Sequence, residues 1–280
     1  MEKKKKRSSL KKMSFLDHLD ELRRRLFISI IAIAILFGVC WFFSKHIYNF
    51  LAQPIYQFLP EDDKRLAFIS LSEPFFLYLK VSFLAAIFFA SPIILTQLWM
   101  FIAPGLYRKE KKYALPFIIF TTLFFVAGGL FGYYIAFPMV VRFFLRMGAE
   151  FRQVVTIRSY LSLLTNILLG LGLVFETPLI IFFLSRLGLV TTKFLIKNFK
   201  YAILIIFIIA AVITPTPDVV TQATFALPMI ALYALGILIS LIFGKPREDE
   251  DKDWDKGEEE DKEEDFDDEE LMDDGDDLAG

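Results

Sequence analysis

SFLDHLDELRRRL, residues 14–26, leads without interruption into LFISIIAIAILFGVCWFF, residues 26–43. Phe15, Leu16, Leu19, Leu22 and Leu26 recur at three- and four-residue spacing, which places them on one stripe of a helix. Asp17, Asp20 and Glu21 precede Arg23, Arg24 and Arg25, the order that suits a helix dipole. Ser14 is positioned as an N-cap, with Asp17 three residues on. The eighteen residues that follow carry no charge. The stretch therefore reads as a charged amphipathic helix at a membrane surface that feeds a first membrane span.

Working outward, the rest of the chain is equally oily. Of 280 residues 55% are hydrophobic and 32 are phenylalanine, and the mean hydropathy is +0.51. The expected class is an all-α polytopic membrane protein with six transmembrane helices: Leu26–Phe43, Pro74–Phe101, Tyr113–Val141, Ser159–Ser185, Tyr201–Thr214 and Val219–Phe243. The connector between the first two spans, Ser44 to Glu73, is long enough to hold short helices. Gly128, Gly129 and Gly132 give the third span a small face for close helix approach. Pro138 reads as its far end, with Arg142, Arg146, Arg152 and Arg158 in the loop beyond. Lys80, two turns inside the second span, reads as a snorkelling lysine. The fifth span is too short to cross a core of about 30 Å unaided.

Orientation follows from lysine and arginine. With the N-terminus inside, the inner segments hold 20 of these residues and the outer segments seven. Both termini are expected in the cytoplasm. Residues 1–25 form a basic N-terminal segment, 26–243 the membrane domain and 244–280 an acidic tail expected to be disordered. Residues 248–280 hold 21 acidic and three basic side chains, leaving 12 of the chain's 33 acids and 28 of its 31 bases elsewhere. Lys3–Arg7 is not read as a signal-peptide n-region, because the apolar run is long and Trp41, Phe42 and Phe43 end it without a cleavage site.

The sequence offers no enzyme chemistry. Cys40 is the single cysteine, His18 and His46 lie far apart, and no metal motif, nucleotide loop or triad is present. No metal and no cofactor are expected. Three carboxylates draw the argument instead. Glu176 lies within the fourth span, where an ionised acid faces a cavity or a partner. Asn166, Gly170, Leu173, Glu176 and Thr177 share one helical face, and Pro178 loosens the helix there. Glu21 and Glu110 each sit beside chain entering the membrane, and two carboxylates are what two guanidiniums bind best.

SFLDHLDELRRRL, SPIILTQLWMFIAPGLYRKEKK (Ser91–Lys112), FETP (Phe175–Pro178) and TPTPDVVTQ (Thr214–Gln222) together resemble the TatC family, the multi-span receptor subunit of the twin-arginine protein translocase. The resemblance covers roughly residues 13–243 and keeps the motif order. It implies that Glu21 and Glu110 recognise the Arg-Arg pair of a signal peptide, with Phe101, Pro104 and Tyr107 in the same site. It matches Glu176 to a buried acid, Pro54 and Asp218 to outer-loop positions, and Gln222 to contact with single-span subunits. The implied partners are TatA- and TatB-like single-span subunits, twin-arginine signal peptides of folded cargo, membrane lipid and further copies of the chain within a larger complex, with no nucleic acid. The implied setting is the bacterial inner membrane, with transport driven by the proton-motive force. Two other readings remain open on the residues alone: a small secondary transporter or channel using Glu176, and a membrane anchor acting through its charged tails.

Overall fold

The computed structural model describes residues 15–59, 65–102, 111–186, 188–214 and 218–243. Regular structure there is helical, apart from one parallel bridge between Ala67 and Thr156. The helices are α1 (Phe15–Phe42), α2 (Ser44–Tyr56), α3 (Glu73–Ile102), α4 (Lys111–Phe131), α5 (Phe137–Met147), α6 (Ile157–Phe175), α7 (Thr177–Arg186), α8 (Thr192–Lys197), α9 (Phe199–Ile213) and α10 (Val219–Phe243). Lipid offers backbone groups no partner, so each apolar run satisfies its own N–H and C=O groups as a helix. Among the described residues five stretches are long and apolar enough to cross a membrane: His18–Phe42, Glu73–Phe101, Pro116–Met147, Ile157–Arg186 and Val219–Ile242. Phe199–Ile213 is the shorter sixth. At 1.5 Å per residue its fifteen residues reach about 22 Å. The chain is an all-α polytopic membrane protein, as its hydropathy requires.

The charged start of α1 runs unbroken into the first span, as expected. α1 is a single helix of 28 residues, so its acidic and basic turns prolong the same rod that becomes the first span. The third span departs from expectation. Pro138 does not end it; the helix continues to Met147. Between α4 and α5 lies one π turn, Gly132–Ala136, closed by a bond from Phe137 N–H to Gly132 O. The wider turn shifts the register just before Pro138, so the proline ring, which cannot donate, is accommodated at the first turn of α5. Arg142 and Arg146 are therefore helical, and Arg158 lies at the start of α6; Arg152 alone of the four lies outside a helix.

The chain divides into two compact units, residues 15–177 with 204–231, and residues 178–203 with 232–243. In the first, α1 packs on α3, and α4 packs on both α3 and α6. Leu164, Ile167 and Leu171 of α6 are fully buried. Lipid is as apolar as leucine, so close approach and dispersion hold such helices together. Gly128 makes this possible: a Cβ built there would fall 2.5 Å from Leu171 O and 2.9 Å from Gly172 Cα. In the second unit a hydroxyl chain links Ser185, Ser240 and Thr192, at 2.7 and 2.8 Å. Tyr233 donates to Leu195 O at 3.1 Å. Large apolar side chains such as Phe42, Phe89 and Val212 remain exposed, as a lipid-facing surface requires.

Candidate functional site

The first candidate site is built where the start of α1 meets the end of α3. Glu21 and Arg25 stand four residues apart on α1, one turn of helix, and pair at 2.9 Å through Oε1 and Nη2. The side chains are only 18% and 24% exposed. From α3, Gln97 Oε1 and Met100 Sδ each accept from Arg25 Nη1 at 3.2 Å. Phe101, one turn beyond Gln97, stacks on the His18 ring with centroids 4.4 Å apart and planes 13° from parallel. His18, Glu21 and Arg25 occupy one face of α1 at positions i, i+3 and i+7; Gln97, Met100 and Phe101 do the same on α3 at i, i+3 and i+4.

Glu21 is thus not an open acid. Arg25 holds one of its oxygens, and α3 holds Arg25. Glu21 Oε2 has no hydrogen-bond partner among the described residues. The carboxylate is oriented on one side and open on the other, the geometry that accepts a second guanidinium. Sequence reading singled out Glu21 and Phe101 but passed over Gln97, Met100 and the pairing role of Arg25. Their helical spacing was the available signal. Pro104, Tyr107 and Glu110 lie outside the described residues.

The second candidate site is the break between α6 and α7. Glu176 is the residue between the two helices, followed by Thr177 and Pro178, and is 5% exposed. Both its carboxyl oxygens are buried with no hydrogen-bond partner among the described residues. Thr177 turns its hydroxyl back to Val174 O at 2.6 Å, which leaves nothing for the acid. The polar stripe expected on this face does not stay together: Asn166 and Leu173 are exposed while Glu176 is buried.

The remaining residues have structural tasks. Asp218 caps α10, accepting from Thr221 N–H at 2.8 Å and from the Thr221 hydroxyl. Gln222 Nε2 donates to Phe207 O of α9 at 2.9 Å. Pro54 lies inside α2 and is buried. It has no N–H to give Phe50 O, four residues back. The Tyr133 hydroxyl, presented by the π turn, donates to that carbonyl instead, and Tyr160 donates to Leu51 O. Tyr133→Phe is expected to cost about 1–3 kcal/mol, the penalty of a carbonyl left unpaired away from water. The loss should shrink in a Pro54→Ala background, where the restored amide serves Phe50. Thermal unfolding of the four proteins of this cycle in detergent checks the coupling.

Comparison with known proteins gives a consistent result. A family model described as TatC, Sec-independent protein translocase protein, matches residues 17–228. The protein of that name from Koribacter versatilis is 46% identical over 84% of this chain and 87% of its own length. The one from Campylobacter jejuni is 39% identical over 84% of this chain and 97% of its own. A crystal structure of the twin-arginine translocase receptor TatC superposes with a TM-score of 0.70 at 36% identity, covering 80% of this chain and 98% of that one. Match and fold agree across the membrane domain: the chain belongs to the TatC family of Sec-independent protein translocase components and is a multi-pass protein of the bacterial inner membrane.

Proposed function

We propose that the chain is the receptor subunit of a twin-arginine translocase. It binds the twin-arginine signal peptide of a folded protein and nucleates assembly of single-span TatA- and TatB-like subunits, and the proton-motive force drives export. Both termini face the cytoplasm, in keeping with the excess of Lys and Arg on that side. The observation that carries this reading is Glu21: a partly buried carboxylate braced through Arg25 and Gln97, with one oxygen unused among the described residues. One arginine of the peptide takes Glu21 Oε2, and Glu110 receives the other. The family resemblance assigns Phe101, Pro104 and Tyr107 to the same site. Glu176, with Asn166 and Thr177 on the same span, receives a polar group from a partner segment; Pro54, Asp218 and Gln222 hold outer-loop positions in shape for that partner.

Titration of a synthetic signal peptide onto the purified protein in micelles tests the reading. The Arg-Arg peptide is expected to bind, the Lys-Lys peptide more weakly because the guanidinium fork is lost, and the Ala-Ala peptide weakest. Glu21→Ala and Glu110→Ala should each cost about 1–3 kcal/mol, roughly tenfold to a hundredfold in Kd. Equal binding of the Arg-Arg and Ala-Ala peptides rejects the proposal.

A further inference from the structure

Where α3 and α6 both begin, two basic side chains have no ion pair among the described residues. Lys80 lies seven residues into α3, about 10 Å along the span from its first residue. Arg158 is the second residue of α6. Both are exposed, and neither has an ion pair, hydrogen bond or ring contact among the described residues. They line one cleft of about 340 Å³. The Ala67–Thr156 bridge assembles it: Ala67 N–H donates to Val155 O at 3.0 Å and Ile157 N–H to Ala67 O at 2.8 Å. This ties the loop before α3 to the first turn of α6.

The charge here is the wrong kind for its surroundings. A helix N-terminus carries positive partial charge and disfavours a cation in its first turn; Arg158 stands in the first turn of α6, while Lys80 stands two turns inside the span, where a cation is costly. Glu73, the acid among its described lining residues, accepts from Ile69 N–H at 3.2 Å and makes no ion pair with Lys80 or Arg158. Nor does orientation explain them, because this end is the one poor in lysine and arginine. A free anion could neutralise the charge, but the cleft is amphipathic. Ser70 and Ser72, joined through their hydroxyls at 3.0 Å, form its polar lip. Its floor, running into the membrane span, is Leu77 and Leu161, both buried, beside the exposed ring of Phe76.

We propose that this cleft is a binding site for a membrane phospholipid. Lys80 and Arg158 hold the phosphodiester from two sides, the serine hydroxyls contact the headgroup, and one acyl chain lies along Phe76, Leu77 and Leu161. Lys80, about 10 Å beyond the first residue of α3, reaches a phosphate from within the span along its long apolar stem, as a snorkelling lysine does. The site also gives a task to Lys80 and to one arginine on the side where the charge rule expects few.

The test uses the full chain, purified in a neutral detergent and examined by native mass spectrometry with added dioleoyl phosphatidylglycerol. Wild type is expected to retain one such lipid selectively, and dioleoylglycerol, which lacks the phosphate, is not retained. Lys80→Gln with Arg158→Gln should weaken retention about a hundredfold or more, the equivalent of two lost charge-assisted contacts at roughly tenfold each, while Lys80→Arg preserves it. Equal retention of the two lipids, or unchanged retention by the double variant, overturns the proposal. Displacement of the lipid by glycerol 3-phosphate at equal concentration also overturns it, because the acyl contacts would then add nothing. If the double variant fails to fold, the comparison of the two lipids on wild type decides alone.

Discussion

Glu176→Ala is expected to leave the protein folded, at a stability equal to or above that of wild type, and to abolish export of a twin-arginine reporter. The two halves of this expectation come from one observation. Both carboxyl oxygens are buried and unpartnered, and a polar group in that state costs about 1–3 kcal/mol compared with an apolar one. Removing it relieves that cost and leaves a small cavity, so the net change in stability is slight. A residue kept at a cost to the fold is kept for what it meets later; on the proposed reading that is the polar group of a partner helix or signal peptide. Glu176→Gln keeps the shape and hydrogen-bonding capacity and removes the ability to ionise, so it separates a hydrogen-bonded partner from an ionic one. Export is read from accumulation of a folded reporter outside the inner membrane, and stability from thermal unfolding in detergent. Full export by the alanine variant rejects the role given to Glu176. Loss of folded protein rejects it too, because the acid would then be holding the fold.

Gly128→Val is expected to do the reverse and destroy the folded protein. The atoms that a Cβ would meet at 2.5 and 2.9 Å are Leu171 O and Gly172 Cα, both backbone. A flexible side chain could turn away; two helix backbones can only move apart. Separating α4 from α6 exposes Leu164, Ile167 and Leu171, whose packing has no substitute in lipid. The cost should reach or exceed about 3 kcal/mol, the upper end for overpacking a core. Gly132→Ala is the control. Its nearest neighbours, Ile167 Cγ2 and Ile167 O, lie at 3.4 Å, and a methyl group there is expected to change the unfolding temperature little. Comparable losses for the two variants, or a stable Gly128→Val protein, would show that the α4–α6 contact is looser than these distances imply.

What the amino-acid order determined by itself is the set of spans. α10 occupies Val219–Phe243 just as hydropathy drew it, and α3 differs from Pro74–Phe101 by one residue at each end. A long apolar run in lipid has no alternative to the helix, so local composition suffices. The break at Glu176 was also legible, because Pro178 withholds an amide from the turn before it. Pro138 carried the same local signal and misled, since a proline rule takes the α register for granted. The π turn at Gly132–Ala136 changes that register, and Tyr133 is held there by the carbonyl that Pro54 leaves open on α2. No reading of residues 130–140 alone could weigh that bond. The candidate sites divide in the same way. Glu21, Phe101 and Glu176 stand out as residue types in place. Whether each is free or already held depends on residues far along the chain: Gln97 and Met100 brace Arg25 against Glu21, His18 stacks on Phe101, and Arg158 joins Lys80 through the bridge at Ala67. Hydrogen bonds and charge pairs are short-ranged and directional, so the tertiary structure alone decided which of these groups are spent and which remain for a ligand.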